Sequence, residues 1–159
     1  MLNRTGAEAR IGNALAGNVQ EQCVVIFVDV DNLKTVNDSL GHECGDKVLV
    51  AIAERLHDFF RASDIVARYG GDEFVACLFG NYTEEQVLQW LERLHTQLSG
   101  VPIGEGSLTV NASVGASWGD ATMNSIETLL HQADSALYDV KRNGKDGFAL
   151  YSPPDMPHP

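Results

Sequence analysis

Two small groups of acids mark where this chain could do chemistry. The first is Asp29-Val30-Asp31, closing the apolar run Cys23-Val24-Val25-Ile26-Phe27-Val28; the second is Asp72-Glu73, directly after Gly70-Gly71. Side chains alternate along a strand, so one acid from each group can share a face. If the two apolar runs pair, Asp29 meets Asp72 or Glu73, and carboxylates brought to one point hold a divalent cation. The Gly-Gly pair, flanked by β-prone residues, predicts a hairpin whose turn uses positive φ. Lys141 and Lys145 lie four apart, on one face near the end of a helix, where they could clamp phosphate. Both patterns have plain readings too. A lysine pair at a helix end can simply oppose the dipole, and Asp31 can simply be an N-cap residue.

The elements that must position these groups follow from periodicity. Residues 5–16 read as a leading helix, 23–29 as a buried strand, and 32–40 as a short helix just past the acids. Residues 46–60 form an amphipathic helix, with Val48, Leu49, Ile52, Leu56 and Phe59 at helical spacing. Strands 65–69 and 73–78 flank the glycines. Thr83 is an N-cap with Glu84 and Glu85 in the first turn, and Val87, Leu91, Leu94 and Leu98 supply that helix's stripe. Residues 108–118 alternate as one strand. A helix over 125–143 ends before Gly144 at a C′ position, and a last strand covers 148–151. The remainder, Ser-Pro-Pro-Asp-Met-Pro-His-Pro, is expected to be a disordered tail.

Composition narrows the function classes. The 159 residues are 44% apolar and 21% charged, as in one ordinary globular domain. A net charge of −11 argues against binding nucleic acid or an anionic membrane, and means that a triphosphate must arrive with cations. Cys23, Cys44 and Cys77 are too few and too scattered for a disulfide framework or a zinc site, and two of them read as buried strand thiols. Histidines 57, 95, 131 and 158 have no partners at ligand spacing and read as surface or helix-face residues. No apolar stretch approaches the ~18 residues of a membrane span, and no signal peptide is apparent, so a cytoplasmic domain is expected, whatever anchors its parent. There is no P-loop. Leu33 and Lys34 stand where a calcium loop needs a ligand and then a turn.

The run Arg68-Tyr69-Gly70-Gly71-Asp72-Glu73-Phe74 resembles the signature of the GGDEF family, the catalytic domains of diguanylate cyclases. The stretch Val28-Asp29-Val30-Asp31-Asn32-Leu33-Lys34-Thr35-Val36-Asn37 through Gly41-His42 and Gly45-Asp46 carries the second half of the resemblance, with Asp72 43 positions after Asp29. The likeness runs from about Leu2 to Tyr151 and implies a palm-like α/β (α+β) fold, a mostly antiparallel sheet flanked by helices. It implies Mg²⁺ or Mn²⁺ held by Asp29, the Val30 carbonyl, Asp72 and Glu73, with Asp72 also the proton acceptor. Lys34 corresponds to a lysine that stabilises the transition state, Asn37 and Asp46 to the pair that reads guanine, and His42 to a substrate contact. A carboxylate accepts the two hydrogens on guanine's N1–N2 edge, which adenine cannot offer, so Asp46 favours GTP. At the last helix the family has a tyrosine, a lysine, a glycine and an arginine. Here Tyr138, Lys141, Gly144 and Lys145 fill those places, so the charge is kept but the guanidinium fork is lost.

Arg61-Ala62-Ser63-Asp64, nine residues before Gly70, matches the family's Arg-x-x-Asp inhibitory site for cyclic di-GMP, with Arg93 a secondary contact. The activity implied is condensation of two GTP into cyclic di-GMP with loss of two pyrophosphates, each subunit of a homodimer holding one GTP. The alternative is an inactive GGDEF domain that senses GTP or cyclic di-GMP. Met1-Leu2-Asn3-Arg4 is similar to the end of the family's opening motif, so a sensory or dimerising part is expected upstream of a domain spanning 1–151.

Overall fold

A computed structural model describes residues 1–17, 22–104, 108–121 and 126–152. The expected tail and the expected helix start at Ser125 fall largely or wholly outside the described residues. In chain order the elements are α1 (Arg4–Gly17), β1 (Gln22–Val30), α2 (Leu33–Leu40), α3 (His42–Phe59), β2 (Ile65–Arg68), β3 (Glu73–Gly80) and α4 (Glu84–Leu98). There follow β4 (Val101–Pro102), β5 (Thr109–Val110), β6 (Ala112–Asp120), α5 (Ile126–Arg142) and β7 (Phe148–Leu150).

Five strands form one sheet in the order β2-β3-β1-β6-β7, antiparallel except for the β6–β7 pair. β1 lies at its centre and all but the first of its nine residues are buried. That explains why its sequence reads as an unbroken apolar run rather than an alternation. Its side chains divide by parity. Val24, Ile26, Val28 and Val30 enter one core with α2, α3 and α4. Cys23, Val25 and Phe27 enter the other with α1 and α5. By the same parity Asp29 belongs to the α1–α5 side. α5 can lie directly on β6 because position 115 is glycine; a Cβ there would collide with the Leu137 and Ala133 backbone. The buried thiols of Cys23 and Cys77 face each other at 3.0 Å across β1 and β3.

The helix capped by Thr83 forms as its sequence demands. Thr83 Oγ1 accepts from the Gln86 amide at 3.2 Å while Gln86 Oε1 accepts from the Thr83 amide at 2.9 Å. Elsewhere the structure corrects the sequence reading. α3 begins at His42, four residues earlier than its apolar stripe suggests, because Gly41 at φ 91 lets the chain pass straight from α2 into α3. The expected strand 108–118 is two strands. Thr109–Val110 pairs with Val101–Pro102 in a separate ribbon, and only Ala112–Asp120 joins the main sheet. Asn111 sits at the break and spends its side chain on the Gly100 amide at 2.9 Å.

The Gly70–Gly71 loop does not use positive φ at either glycine, so a two-residue primed turn is not what they build. The loop is wider. The amides of Tyr69 and Gly70 both donate to the Glu73 carbonyl, at 2.8 and 3.2 Å, and Arg68 braces it from outside. The Arg68 guanidinium donates to the carbonyls of Gly70 at 3.2 Å and Gly71 at 2.7 Å, a role that spacing did not reveal.

Candidate active site

β1 and β3 pair in a register that sets Asp29 opposite Glu73, which places the two carboxylates on one face. The Val30 amide donates to the Asp72 carbonyl at 3.1 Å, bringing the hairpin loop against the end of β1. The sequence left open which acid of the hairpin meets Asp29. The structure gives that place to Glu73, on the strand, with exposed Asp72 one residue outside it.

Asp29 is 5% exposed. Its Oδ2 is ion-paired with Lys141 of α5, while Oδ1 is buried without any hydrogen-bond partner. A buried carboxylate oxygen left unpaired is costly unless something cationic completes it. Burial, then neighbouring Lys145, pushes the Lys141 ammonium below the ordinary lysine value. Glu73 is half-buried, and burial first, then the charges of Asp134 and Asp72, raises its carboxyl above the usual range.

These groups fit a hard divalent cation of the sparingly coordinated kind. Among the described residues no group of three or more His, Cys, Asp or Glu side chains forms a closed cage. Mg²⁺ does not need one: it takes one or two carboxylates and completes its shell with carbonyls, water and substrate phosphate. Asp29 and Glu73 supply the carboxylates of such a partial set.

Asp31 is not the N-cap that its position suggests. Asn32 occupies that place, in left-handed backbone at φ 60 and without a capping side chain. Asp31 is instead 6% exposed. Its Oδ1 accepts from Ser113 Oγ at 2.6 Å and its Oδ2 from the Asp146 amide at 2.9 Å. Lys145 donates to Asn32 Oδ1 at 2.9 Å. The loop after β1 and the loop after α5 are therefore tied together beside Asp29. His95, read as a surface histidine, meets Asp146 at 2.9 Å. No periodic signal could pair residues this far apart in the chain.

Lys34, His42 and Asp46 are exposed on α2 and α3. Asn37 packs against Gly45, the residue before Asp46, because that position is bare; a Cβ at Gly45 would collide with Asn37 Oδ1. At the far end of β2, Arg61, Asp64 and Arg93 line one cavity of about 480 Å³ with Phe59, Tyr82 and Trp90. Asp64 closes the local turn by accepting from the Arg61 amide at 2.9 Å. The Arg61 guanidinium reaches instead to the Tyr82 hydroxyl, at 3.4 Å, and Arg93 lies over the Phe59 ring at 6.0 Å.

A mostly antiparallel sheet between helical layers, with acids where its central strand meets a hairpin, defines an α/β domain of the palm-like cyclase type. The chain belongs to the GGDEF family: the family described as "Diguanylate cyclase, GGDEF domain" matches residues 1–147. It is 35% identical over 147 residues to diguanylate cyclase TpbB of Pseudomonas aeruginosa, covering 90% of this chain and 34% of that protein. It thus spans about a third of that relative. The solved GGDEF domain of TpbB superposes with a TM-score of 0.82 at 34% identity, covering 96% of this chain and 91% of the other. A microbial GGDEF domain, in a structure described as a novel interaction mode with cyclic di-GMP, matches with a TM-score of 0.73 at 28% identity. That match covers 94% of this chain and 90% of the other. Among the described residues no helix is long and apolar enough to cross a membrane.

Proposed function

We propose that this domain condenses two GTP molecules into cyclic di-GMP, releasing two pyrophosphates, with one GTP held by each of two facing domains. The observation that carries the reading is Asp29, a buried carboxylate with one oxygen unpartnered, in register with Glu73 in a family whose named relatives include diguanylate cyclases. Mg²⁺ or Mn²⁺, when bound, would neutralise the triphosphate and make the α-phosphorus more open to attack. Asp29, Glu73, Asp72 and the Val30 carbonyl would hold it.

The remaining work falls to the chain itself. Asp72, exposed at the hairpin, would accept the proton of the attacking 3′-hydroxyl. Asn37 and Asp46 would bind the guanine edge, with His42 beside the nucleotide. Lys34, Lys141 and Lys145 would take up the charge of the departing pyrophosphate. Lys141 is bonded to Asp29, so it already stands at the edge of the carboxylate pair. Arg61, Asp64 and Arg93 would bind the product at the opposite end of β2 and restrain turnover from there.

Incubating the protein with GTP and Mg²⁺ and separating the nucleotides tests this directly. Cyclic di-GMP and pyrophosphate in a 1:2 ratio are expected, with none from Asp72→Ala. Binding of cyclic di-GMP without any turnover would leave the sensing role in place of the enzyme.

A further inference from the structure

Three consecutive residues after α5 take left-handed backbone: Gly144 at φ 107, Lys145 at φ 64 and Asp146 at φ 46. Glycine adopts this freely and aspartate at small cost, but lysine does so only where its surroundings impose it. The imposition comes from both sides: the Lys145 amide donates to the Val140 carbonyl at 3.1 Å, and Asp146 is pinned beyond it. Its amide donates to Asp31 Oδ2 at 2.9 Å and to Ser113 Oγ at 3.2 Å. Its carboxylate meets His95 Nε2 at 2.9 Å through Oδ1, and accepts from Asn111 Nδ2 at 3.2 Å through Oδ2. Anchors thus come from the loop after β1, from β6, from α4 and from the break between β5 and β6. With the next residue pinned so, Lys145 extends to Asn32, three positions beyond Asp29.

We infer that Asp146 is the positioning residue of the phosphate clamp: it touches no substrate, but fixes the strained turn that aims Lys145. The inference rests on the reading of Lys145 as a phosphate contact. It also accounts for a lysine standing where the family has arginine. An arginine brings a preformed fork, whereas a lysine brings a point charge on a flexible stem, which gains more from a backbone locked in place.

The test uses 3′-deoxy-GTP, which lacks the attacking hydroxyl, with Mg²⁺, and follows binding by calorimetry. Asp146→Ala is expected to bind it about tenfold more weakly, the loss of roughly one charge-assisted hydrogen bond. Binding of GMP, which has no β- or γ-phosphate, should stay at the parental value; a general loosening of the fold would weaken both. Asp146→Asn should restore triphosphate binding, since asparagine keeps an acceptor and tolerates left-handed backbone. The double variant Lys145→Ala/Asp146→Ala should bind no more weakly than Lys145→Ala alone. Should Asp146→Ala fold poorly, His95→Ala removes one anchor only and should show a smaller loss in the same direction. Parental binding by Asp146→Ala, or additive losses in the double variant, overturns the inference while leaving the phosphate role of Lys145 standing. Parental binding by Lys145→Ala overturns that role, and the inference with it.

Discussion

Asp29 and Glu73 stand directly opposite each other across β1 and β3, so the acid that completes the pair comes from the strand rather than from the loop. The pairing also orders the acids by burial, from Asp29 through half-buried Glu73 to exposed Asp72. A buried carboxylate makes a firm metal ligand and an exposed one can exchange protons with solvent, so the order suits a division of labour between them.

Asp29→Ala should therefore lose the metal while keeping the fold. Its Oδ1 makes no hydrogen bond, so the substitution breaks only the ion pair with Lys141. Mn²⁺ titration followed by electron paramagnetic resonance should show binding by the parent and at least about tenfold weaker binding by the variant, the expected loss of one charged ligand. Equal Mn²⁺ affinity in the two proteins would remove Asp29 from the metal site. Excess chelator should abolish product formation by the parent.

Glu73 gives a pH signature in the metal-free protein. Its folded carboxyl lies above the ordinary 4.5 because of burial and then the charges of Asp134 and Asp72. Between 4.5 and that raised value the folded chain keeps a proton that the unfolded chain has lost, so stability falls as pH rises through this window. Above the window the cost of the buried charge is constant. Glu73→Gln should accordingly melt higher than the parent at pH 7 in the presence of chelator, and the gap should close below about pH 4. A gap of the same size at both pH values would mean that the charge of Glu73 carries no folding cost.

Most of the fold was legible in the sequence because α3, α4, α5 and β1 each carry a long periodic or unbroken apolar pattern. The pairing of Asp29 with an acid of the hairpin was legible for the same reason: strand parity alone confined its partner to two residues. What was missed depends on contacts with no period. β4 has two residues, one of them Pro102, too short to leave a pattern. The first turn of α3 offers the core only Cys44, too little to extend the stripe, and the conformation of Gly41 starts the helix where it does. Asp31, Asn111 and Asp146 are ordinary polar residues in sequence. They gain their meaning from β6 and the loop after α5 lying beside the end of β1.

Gly45 and Asp46 offer a test of base recognition in two parts. On the proposed reading, Asp46→Ala removes the acceptor for two guanine hydrogens at a cost of roughly 1–3 kcal/mol, or about one to two orders of magnitude in preference. The ratio of GTP to ATP binding should fall by that amount. Gly45→Ala leaves Asp46 intact, but its methyl group collides with Asn37 Oδ1 and must displace that side chain. It should weaken GTP binding without improving ATP binding. An unchanged GTP to ATP ratio in Asp46→Ala would place guanine recognition elsewhere.

Arg-x-x-Asp is commonly a surface ion pair, and that explanation predicts a guanidinium resting on the carboxylate. The structure shows another arrangement. Asp64 is buried and accepts from the Arg61 backbone amide, while the Arg61 side chain turns to Tyr82 in a cavity walled by Phe59 and Trp90. The guanidinium is thus available to a ligand, with aromatic faces beside it on which a purine can stack. Arg61 lies beyond one end of β2 and the Gly70–Gly71 loop beyond the other. At ~3.3 Å per residue that separates it from the carboxylate pair by some 15–20 Å. A product bound there would leave the GTP pocket open and, on the proposed reading, would act by holding domains apart. Arg61→Ala should then lose tight cyclic di-GMP binding while the initial rate with GTP stays largely intact. Calorimetry with metal omitted measures the binding without turnover, and quenching of Trp90 fluorescence provides a second readout from the cavity wall. Equal affinity of parent and variant for cyclic di-GMP would reduce Arg61 and Asp64 to a turn and its neighbour, and any feedback would have to act at another surface.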